Sequence, residues 1–417
     1  MKILWVSHFL PWPPTGHGAL QRSHNLLIEA AREHEVHLAA LAVPNAHPTP
    51  EAVDDALREL APKVASAAAF AIPHDALGLR RAGAAVTALA GGAGFWERRL
   101  WSPSLAAHVR TLSGAVSFDL VHLDIVFLKR YLRGLGTPLV LNHHNIESDL
   151  LLRRAAMPGA GAKRWFFGQQ AVRTARLERE LAREARMNLT VSELDRDRLR
   201  DVAGAVPTTV IANGVDVQFF SPDPSVTPDG DALVFAGGMD WFPNREAMEY
   251  LAGELWPALH ADRSARRMTV IGRNPPPALL AAATHEPSLR VAGFVDDVRP
   301  YLDAAAIYLC PIRVGGGTRL KILDALSMSK ALVSTSLGVE GLGLVDGEHY
   351  LRADSVAETL VQVRRLEADP ALRDRLGRAG RRLVEERYSW RTIGRELLAA
   401  YARAASAHPD AAPSTTI

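Results

Sequence analysis

An α/β protein built from two doubly wound, Rossmann-like halves is the fold class this sequence predicts, and three observations carry the prediction. Short β-rich runs alternate with helical patterns almost throughout, the signature of parallel sheets covered by helices. The chain has 417 residues, 48% hydrophobic and 23% charged, which is long enough for two cores. Near the middle, Asn213-Gly214 and Ser221-Pro222-Asp223-Pro224 form a turn-rich break, after which the alternation restarts.

Taken in order, the strand candidates of the first half are 2–7, 35–43, 64–72, 120–123, 139–142 and 188–191. Those of the second half are 232–236, 268–271, 289–292, 307–310, 331–334 and 349–351. Residues 371–386 and 390–404 read as helices, and 408–417 as a frayed tail. The expected domains are 1–207 on the acceptor side, 208–388 on the nucleotide side, and 389–417 as a helix returning to the first domain plus the tail. Two doubly wound halves place a ligand where the carboxyl ends of their strands meet, so the domains are expected to face each other across a cleft.

The composition excludes several classes. A formal net charge of +2 gives no long-range field for nucleic acid. The single cysteine, Cys310, excludes an internal disulfide framework and a Cys-rich zinc site, and fits a reducing compartment. Residues 1–10 are apolar but are followed by Pro11, Pro13 and Pro14, with no basic segment or cleavage site of a secretory leader, and read as a buried strand. No apolar run reaches the length of about 18 residues needed to span a bilayer. The expectation is a cytoplasmic protein with no nucleic-acid partner. Arg173, Arg176, Arg179, Arg183 and Arg186 share one helical side beside Trp165-Phe166-Phe167, so a peripheral contact of the 153–186 region with anionic lipid at the inner face of the membrane is weighed against a solvated surface helix.

Two glycine loops carry chemistry. Pro14-Thr15-Gly16-His17-Gly18 follows the first strand and opens a helix, where Gly16 and Gly18 would let backbone approach an anion, although a plain turn fits as well. Val314-Gly315-Gly316-Gly317-Thr318 follows the strand 307–310 and opens the helix beginning Arg319-Leu320-Lys321. Three successive glycines cost backbone entropy, and cations in a first helical turn oppose the macrodipole. A bound diphosphate would remove that conflict, while a solvated basic helix start is the plainer alternative.

On the acceptor side, His122 and Asp124 lie two apart on a strand and are expected on one face, with His143 and His144 at the end of the next strand. Such clustering at strand ends suits a site, and as a metal set it lacks a third ligand of clear spacing. Asp195 and Asp197 form an Asp-x-Asp, but after Ser192, with Asp195 completing a capping box, the segment reads as the start of a helix. Residues two apart on a helix do not face each other, so the pair cannot chelate one ion.

The stretches 210–222 (VIANGVDVQFFSP), 234–251 (VFAGGMDWFPNREAMEYL), 270–279 (VIGRNPPPAL), 291–302 (VAGFVDDVRPYL) and 315–342 (GGGTRLKILDALSMSKALVSTSLGVEGL) resemble a retaining glycosyltransferase of family 4 with the GT-B fold. The likeness is greatest to the subgroup associated with exopolysaccharide and exosortase clusters. In the first half it rests on 14–22, 118–124, 142–148 and 188–199. The resemblance implies transfer of a sugar from a nucleotide-diphosphate donor, UDP or GDP, to a saccharide or lipid-linked acceptor, without a metal or other cofactor. In such enzymes a Glu, seven residues and a second Glu bracket the donor. Here Gly316 stands at the first position and Asp324 at the second, where its carboxylate can still take a ribose diol. The family's Arg and Lys pair after the first strand of this half is replaced by Gly237-Gly238-Met239, which makes Arg319, Lys321 and Arg273 the substitute cations for the leaving diphosphate.

By the same resemblance Val295 meets the base through its backbone, His144 matches a His near the donor sugar, and Asp124 occupies a position that is often His in the family. His144, Asp124, Arg319 and Lys321 are therefore the expected catalytic residues. Gly16, Gly18, Gly238, Arg273, Val295, Gly315, Gly316, Gly317, Thr318, Leu320 and Asp324 are expected to bind the donor, and His122, His143 and Asn145 the acceptor. A sugar-nucleotide epimerase of similar fold, or a binding protein without catalysis, are the rival readings.

Overall fold

The computed structural model describes residues 1–14, 18–44, 47–72, 94–157 and 161–406. Each apolar run becomes a strand covered on both faces: Ile3, Leu4, Trp5 and Val6 are all fully buried, as a parallel sheet between helices requires. Seven strands make the first sheet: β1 (Lys2–Ser7), β2 (Glu35–Ala42), β3 (Ser66–Ala71), β4 (Leu120–Leu123), β5 (Leu139–Asn142), β6 (Met187–Thr190) and β7 (Thr208–Val210). They run in the order β3-β2-β1-β4-β5-β6-β7, and every pairing is parallel. The second sheet contains β8 (Asp229–Ala236), β9 (Arg267–Ile271), β10 (Leu289–Gly293), β11 (Ala305–Cys310), β12 (Ala331–Ser334) and β13 (Leu351–Arg352). Its order is β10-β9-β8-β11-β12-β13, again parallel.

Both sheets therefore reverse direction of growth between their first and fourth strands, β1/β4 and β8/β11. In a doubly wound sheet that switch point is where the flanking crossovers diverge and leave a crevice at the strands' carboxyl ends.

The chain divides into two compact units, Met1–Ala212 with Ile393–Ile417, and Asn213–Thr392. β7 hydrogen-bonds to β6, so Thr208–Val210 belong to the first sheet and not to the second half, where the sequence boundary at 207/208 put them. Within the first unit the helix Gly161–Glu184 packs Phe167 and Ala171 against Leu151 of the helix Glu147–Ala156. Glu178, fully buried on the longer helix, accepts from the backbone N–H of Glu147 at 2.7 Å and of Ser148 at 3.4 Å, which caps the start of the shorter one. No helix among the described residues is long and apolar enough to cross a membrane.

Candidate functional site

The first cluster forms at the β1/β4 switch point. Asp124 follows β4 directly, has no exposed surface, and collects four donors from three segments. Its Oδ2 accepts from Ser7 Oγ at 2.8 Å and from Ser23 Oγ at 2.7 Å, while its Oδ1 accepts from Asn142 Nδ2 at 3.1 Å and His144 Nε2 at 3.2 Å. His8 Nδ1 lies 3.5 Å from Oδ2. Burial by itself would raise the Asp124 pKa, but the charge of His144 and hydrogen bonds from His122, His144 and His8 outweigh it and hold the group well below the ordinary carboxylate range. Asp124 is thus a buried anchor that orients His144. His144, 8% exposed, and His8 reach the margin of the cluster.

Arg22, 1% exposed, braces the same knot by donating to the Asn142 Oδ1 at 3.0 Å and the Ala212 carbonyl at 2.9 Å. Burial lowers its pKa to about 10, against the attraction of Asp124.

The other expected acceptor-side residues diverge from this point. His122 stacks on Trp5 with ring centroids 3.6 Å apart, hydrogen-bonds Tyr401 Oη through Nδ1 at 2.8 Å, and is fully buried. It is a core residue, which corrects the expectation of an acceptor contact. His143, expected beside His144, faces the opposite way. Its Nε2–H donates to Asn188 Oδ1 at 3.1 Å, and burial drops its pKa to about 4, which keeps it neutral. Successive residues after a strand alternate sides, so His143 and His144 could not both reach Asp124. Asn145 is half-buried, with Nδ2 on Glu147 Oε1 at 3.4 Å.

His8, Asp124 and His144 bring one ligand atom each within 4.8 Å of one another. Both Asp124 oxygens already accept hydrogen bonds, from Ser7 and Ser23 on one side and Asn142 and His144 on the other. Ser192 caps the helix Glu193–Ala203, its Oγ accepting from the Asp195 N–H at 3.1 Å and donating to the Asp195 carboxylate at 2.7 Å, which also accepts from Arg198 at 3.0 Å.

The second cluster forms at the β8/β11 switch point. Gly237 and Gly238 follow β8, and residues 311–319 lead from β11 into the helix Leu320–Ser327. Gly315 has φ +105° and Gly317 has φ +74°, a backbone region that disfavours side chains. A Cβ on Gly315 would also lie 2.6 Å from Pro243 Cγ. Two of the three glycines are therefore demanded by the chain path itself, before any ligand is considered.

Arg319, 5% exposed, turns its guanidinium back onto the Gly316 carbonyl at 2.6 Å and onto that of Gly317. It holds the loop from within, which resolves the apparent conflict of a cation at a helix start. Thr318 Oγ1 accepts from Asn213 Nδ2 at 2.5 Å, and Leu320 is buried.

Lys321 lies across the end of β8. Its ammonium bonds Asn244 Oδ1 and sits 5.2 Å from the Phe235 ring, and a Cβ on Gly237 would come within 2.8 Å of Nζ. Asn244 is itself fixed by donating to the Gly238 carbonyl at 2.6 Å. Burial lowers the Lys321 pKa to about 8. One turn further on, Asp324 is raised to about 7 by burial, against the pull of Lys321, and its Oδ1 is buried without a hydrogen-bond partner. A buried acceptor left open is costly and points to a ligand that donates to it.

Arg273 is exposed and stacks on the Phe294 ring at 4.4 Å, next to the half-buried Val295. Gly18 begins the helix Gly18–Ala31, whereas Gly16 lies outside the described residues. Sequence reasoning missed Ser7, His8, Ser23 and Asn142 as partners of Asp124, and Asn244 as the partner of Lys321. Their only sequence signal is position, at the end of β1, in the first helix, at the end of β5 and just beyond β8.

The sequence matches a model described as Glycosyltransferase Family 4 over residues 18–219 and one described as Glycosyl transferases group 1 over residues 230–369. No curated protein matches it. Among solved structures, sucrose-phosphate synthase from Thermosynechococcus elongatus has a TM-score of 0.73 at 15% identity, covering 97% of this chain and 99% of that one. HepE from Anabaena in complex with UDP has a TM-score of 0.67 at 14% identity, over 96% and 100% of the two chains. A glycosyltransferase from Rickettsia africae has 0.64 at 11%, over 98% and 99%. At such identities the likeness is one of fold.

Proposed function

We propose that this chain, whose two halves have the GT-B fold, is a glycosyltransferase of family 4 that moves a sugar from a nucleotide-diphosphate donor to a saccharide or lipid-linked acceptor with retention at the anomeric carbon, a reading supported by the two family models that match its halves. One observation carries the donor site: at the β8/β11 switch point, a half-buried ammonium at Lys321 stands with the unpartnered Oδ1 of Asp324 beside a glycine-lined turn. An ammonium supplies charge to a leaving diphosphate, and the open carboxylate oxygen suits a ribose hydroxyl. The HepE structures hold UDP and UDP-glucose, so uridine diphosphate sugars are the first donors to test, followed by those of GDP.

In the first unit, His144, oriented by Asp124, is the group that would contact the sugar or acceptor. The acceptor oxygen bonds to the anomeric carbon on the face from which the diphosphate departs, and its proton passes to the departing phosphate. Lys321 carries the leaving-group charge in this scheme, so no metal or other cofactor is invoked. The lone buried Cys310 supports work in a reducing, cytoplasmic compartment.

A panel of nucleotide sugars screened by thermal shift identifies the donor, and product analysis by NMR gives the anomeric configuration. Lys321→Ala is expected to lower kcat about 100-fold with the fold intact. Unchanged turnover would remove Lys321 from the site, and donor conversion without any acceptor would favour the epimerase.

A further inference from the structure

The sequence between Leu150 and Leu177 contains six cations, Arg153, Arg154, Lys163, Arg164, Arg173 and Arg176, and no acid. On the helix Gly161–Glu184, residues 165, 169, 172 and 176 are spaced by four, three and four and form one exposed stripe: Trp165, Gln169, Val172 and Arg176. The opposite face is fully used, with Phe167, Gln170, Ala171 and Thr174 buried. Trp165 is 57% exposed, Val172 51%, and Leu152 on the preceding helix 55%. The two helices are linked where Arg164 Nε donates to the Ala155 carbonyl at 3.2 Å and Arg154 stacks on the Phe167 ring at 4.4 Å.

The rest of the 153–186 region is otherwise engaged. Arg179 and Arg183 each donate through Nε, at 2.9 Å, to the carbonyls of Val202 and Ala203 at the end of the helix Glu193–Ala203. Glu180 and Glu184 pair with Lys129 at 3.2 and 3.0 Å. Within the 150–177 stretch Arg153 is paired as well, with Asp149 at 2.8 Å, so the positive charge that accompanies the exposed apolar side chains is that of Lys163, Arg164 and Arg176. An indole beside Lys and Arg, with no acid among them, is the composition that settles at the boundary between anionic headgroups and acyl chains.

We propose that the start of this helix docks the first unit on an anionic lipid bilayer, with Trp165 at the headgroup level, Arg176 on the same stripe, and Lys163 and Arg164, which lie off the stripe in the first turn, reaching lipid phosphates along its edge. Charge complementarity selects this occupant, and the proposal is independent of the donor and acceptor assigned above. The test is co-sedimentation of the full-length protein with vesicles of phosphatidylcholine alone and of phosphatidylcholine with about 30% phosphatidylglycerol. The protein is expected on the anionic vesicles only, and raised salt is expected to release it.

Trp165→Ala, and separately Lys163→Gln with Arg176→Gln, are each expected to lower partitioning roughly tenfold or more at unchanged melting temperature. Trp165→Phe should retain most of it. Equal partitioning onto neutral vesicles, no partitioning at all, or variants that bind as the wild type does would overturn the proposal. So would concentration-dependent dimerisation lost in Trp165→Ala without vesicle binding, which would give the face to a second copy of the chain. Hydrolysis of a soluble nucleotide sugar is a separate measurement that these variants should leave unchanged.

Discussion

A carboxylate can stay charged away from solvent only if enough donors replace its water, and Asp124 meets that condition with two serine hydroxyls, an asparagine amide and an imidazole. Removing its charge while keeping its shape strands those donors, so Asp124→Asn is expected to cost about 3 kcal/mol in urea denaturation at pH 7. Because its folded pKa is depressed, the stability it contributes is present above the ordinary carboxylate range and is lost as pH falls through the folded value. The variant should lack that acid limb. Asp324 has the opposite sign. Its folded pKa is raised to about 7, so wild-type stability is lost as pH rises from the unfolded value toward and through 7. Asp324→Asn should therefore be the more stable protein at pH 8, by about 1 kcal/mol, with the gap closing toward pH 4, while its affinity for UDP falls about tenfold. Calorimetry and titration on the same samples check both halves; a variant that is less stable at pH 8 would show that the carboxylate has a partner after all.

Single elements repeat this economy at larger scale. The helix Glu147–Ala156 begins three residues after His144 and is capped by Glu178, which is buried on a neighbouring helix instead of being supplied locally. Burial, reinforced by the nearby Glu147, raises Glu178 to about 8. A raised carboxylate contributes stability that is present below its unfolded pKa and is lost as pH rises through about 8. Amide exchange across residues 147–156, corrected for the intrinsic pH effect, is expected to lose protection between pH 6 and about 9 in the wild type and to stay level in Glu178→Gln. Protection that falls equally in both would place the titrating group elsewhere.

Element boundaries show what was legible. The expected strands 2–7, 120–123, 139–142 and 331–334 coincide with β1, β4, β5 and β12, because buried apolar runs carry their own signal. β7 was not read as a strand, since Thr208, Thr209 and Val210 are half-buried and too few to show a period. The role of Arg319 was misread for a related reason: its partners are carbonyls of its own loop, which no residue pattern displays.

At the scale of the whole molecule, each unit has its own core, and the last helix, Trp390–Ser406, contributes most of its length to the first. Ile393, Leu397, Ala400 and Tyr401 have no exposed surface, and Tyr401 holds His122. Four such side chains represent about 6–10 kcal/mol of burial, comparable to the whole stability of a domain. A chain ending at Thr392 is expected to lose the cooperative unfolding transition of the first unit and to become prone to aggregation, while the transition of the second persists. Two retained transitions would mean that the helix is an accessory.

The order of strands and helices, the need for two cores, the glycine turn before Lys321 and the polar strand ends at Asp124 and His144 were determined by the sequence alone, since periodicity, turn chemistry and composition are local properties. Which imidazole meets Asp124, why Arg319 faces inward, and how Asn244 fixes Lys321 were decided only by tertiary structure. Ser7 and Asp124 are 117 residues apart in the chain and 2.8 Å apart in space, and only folding a parallel sheet through its crossovers brings such groups to one switch point.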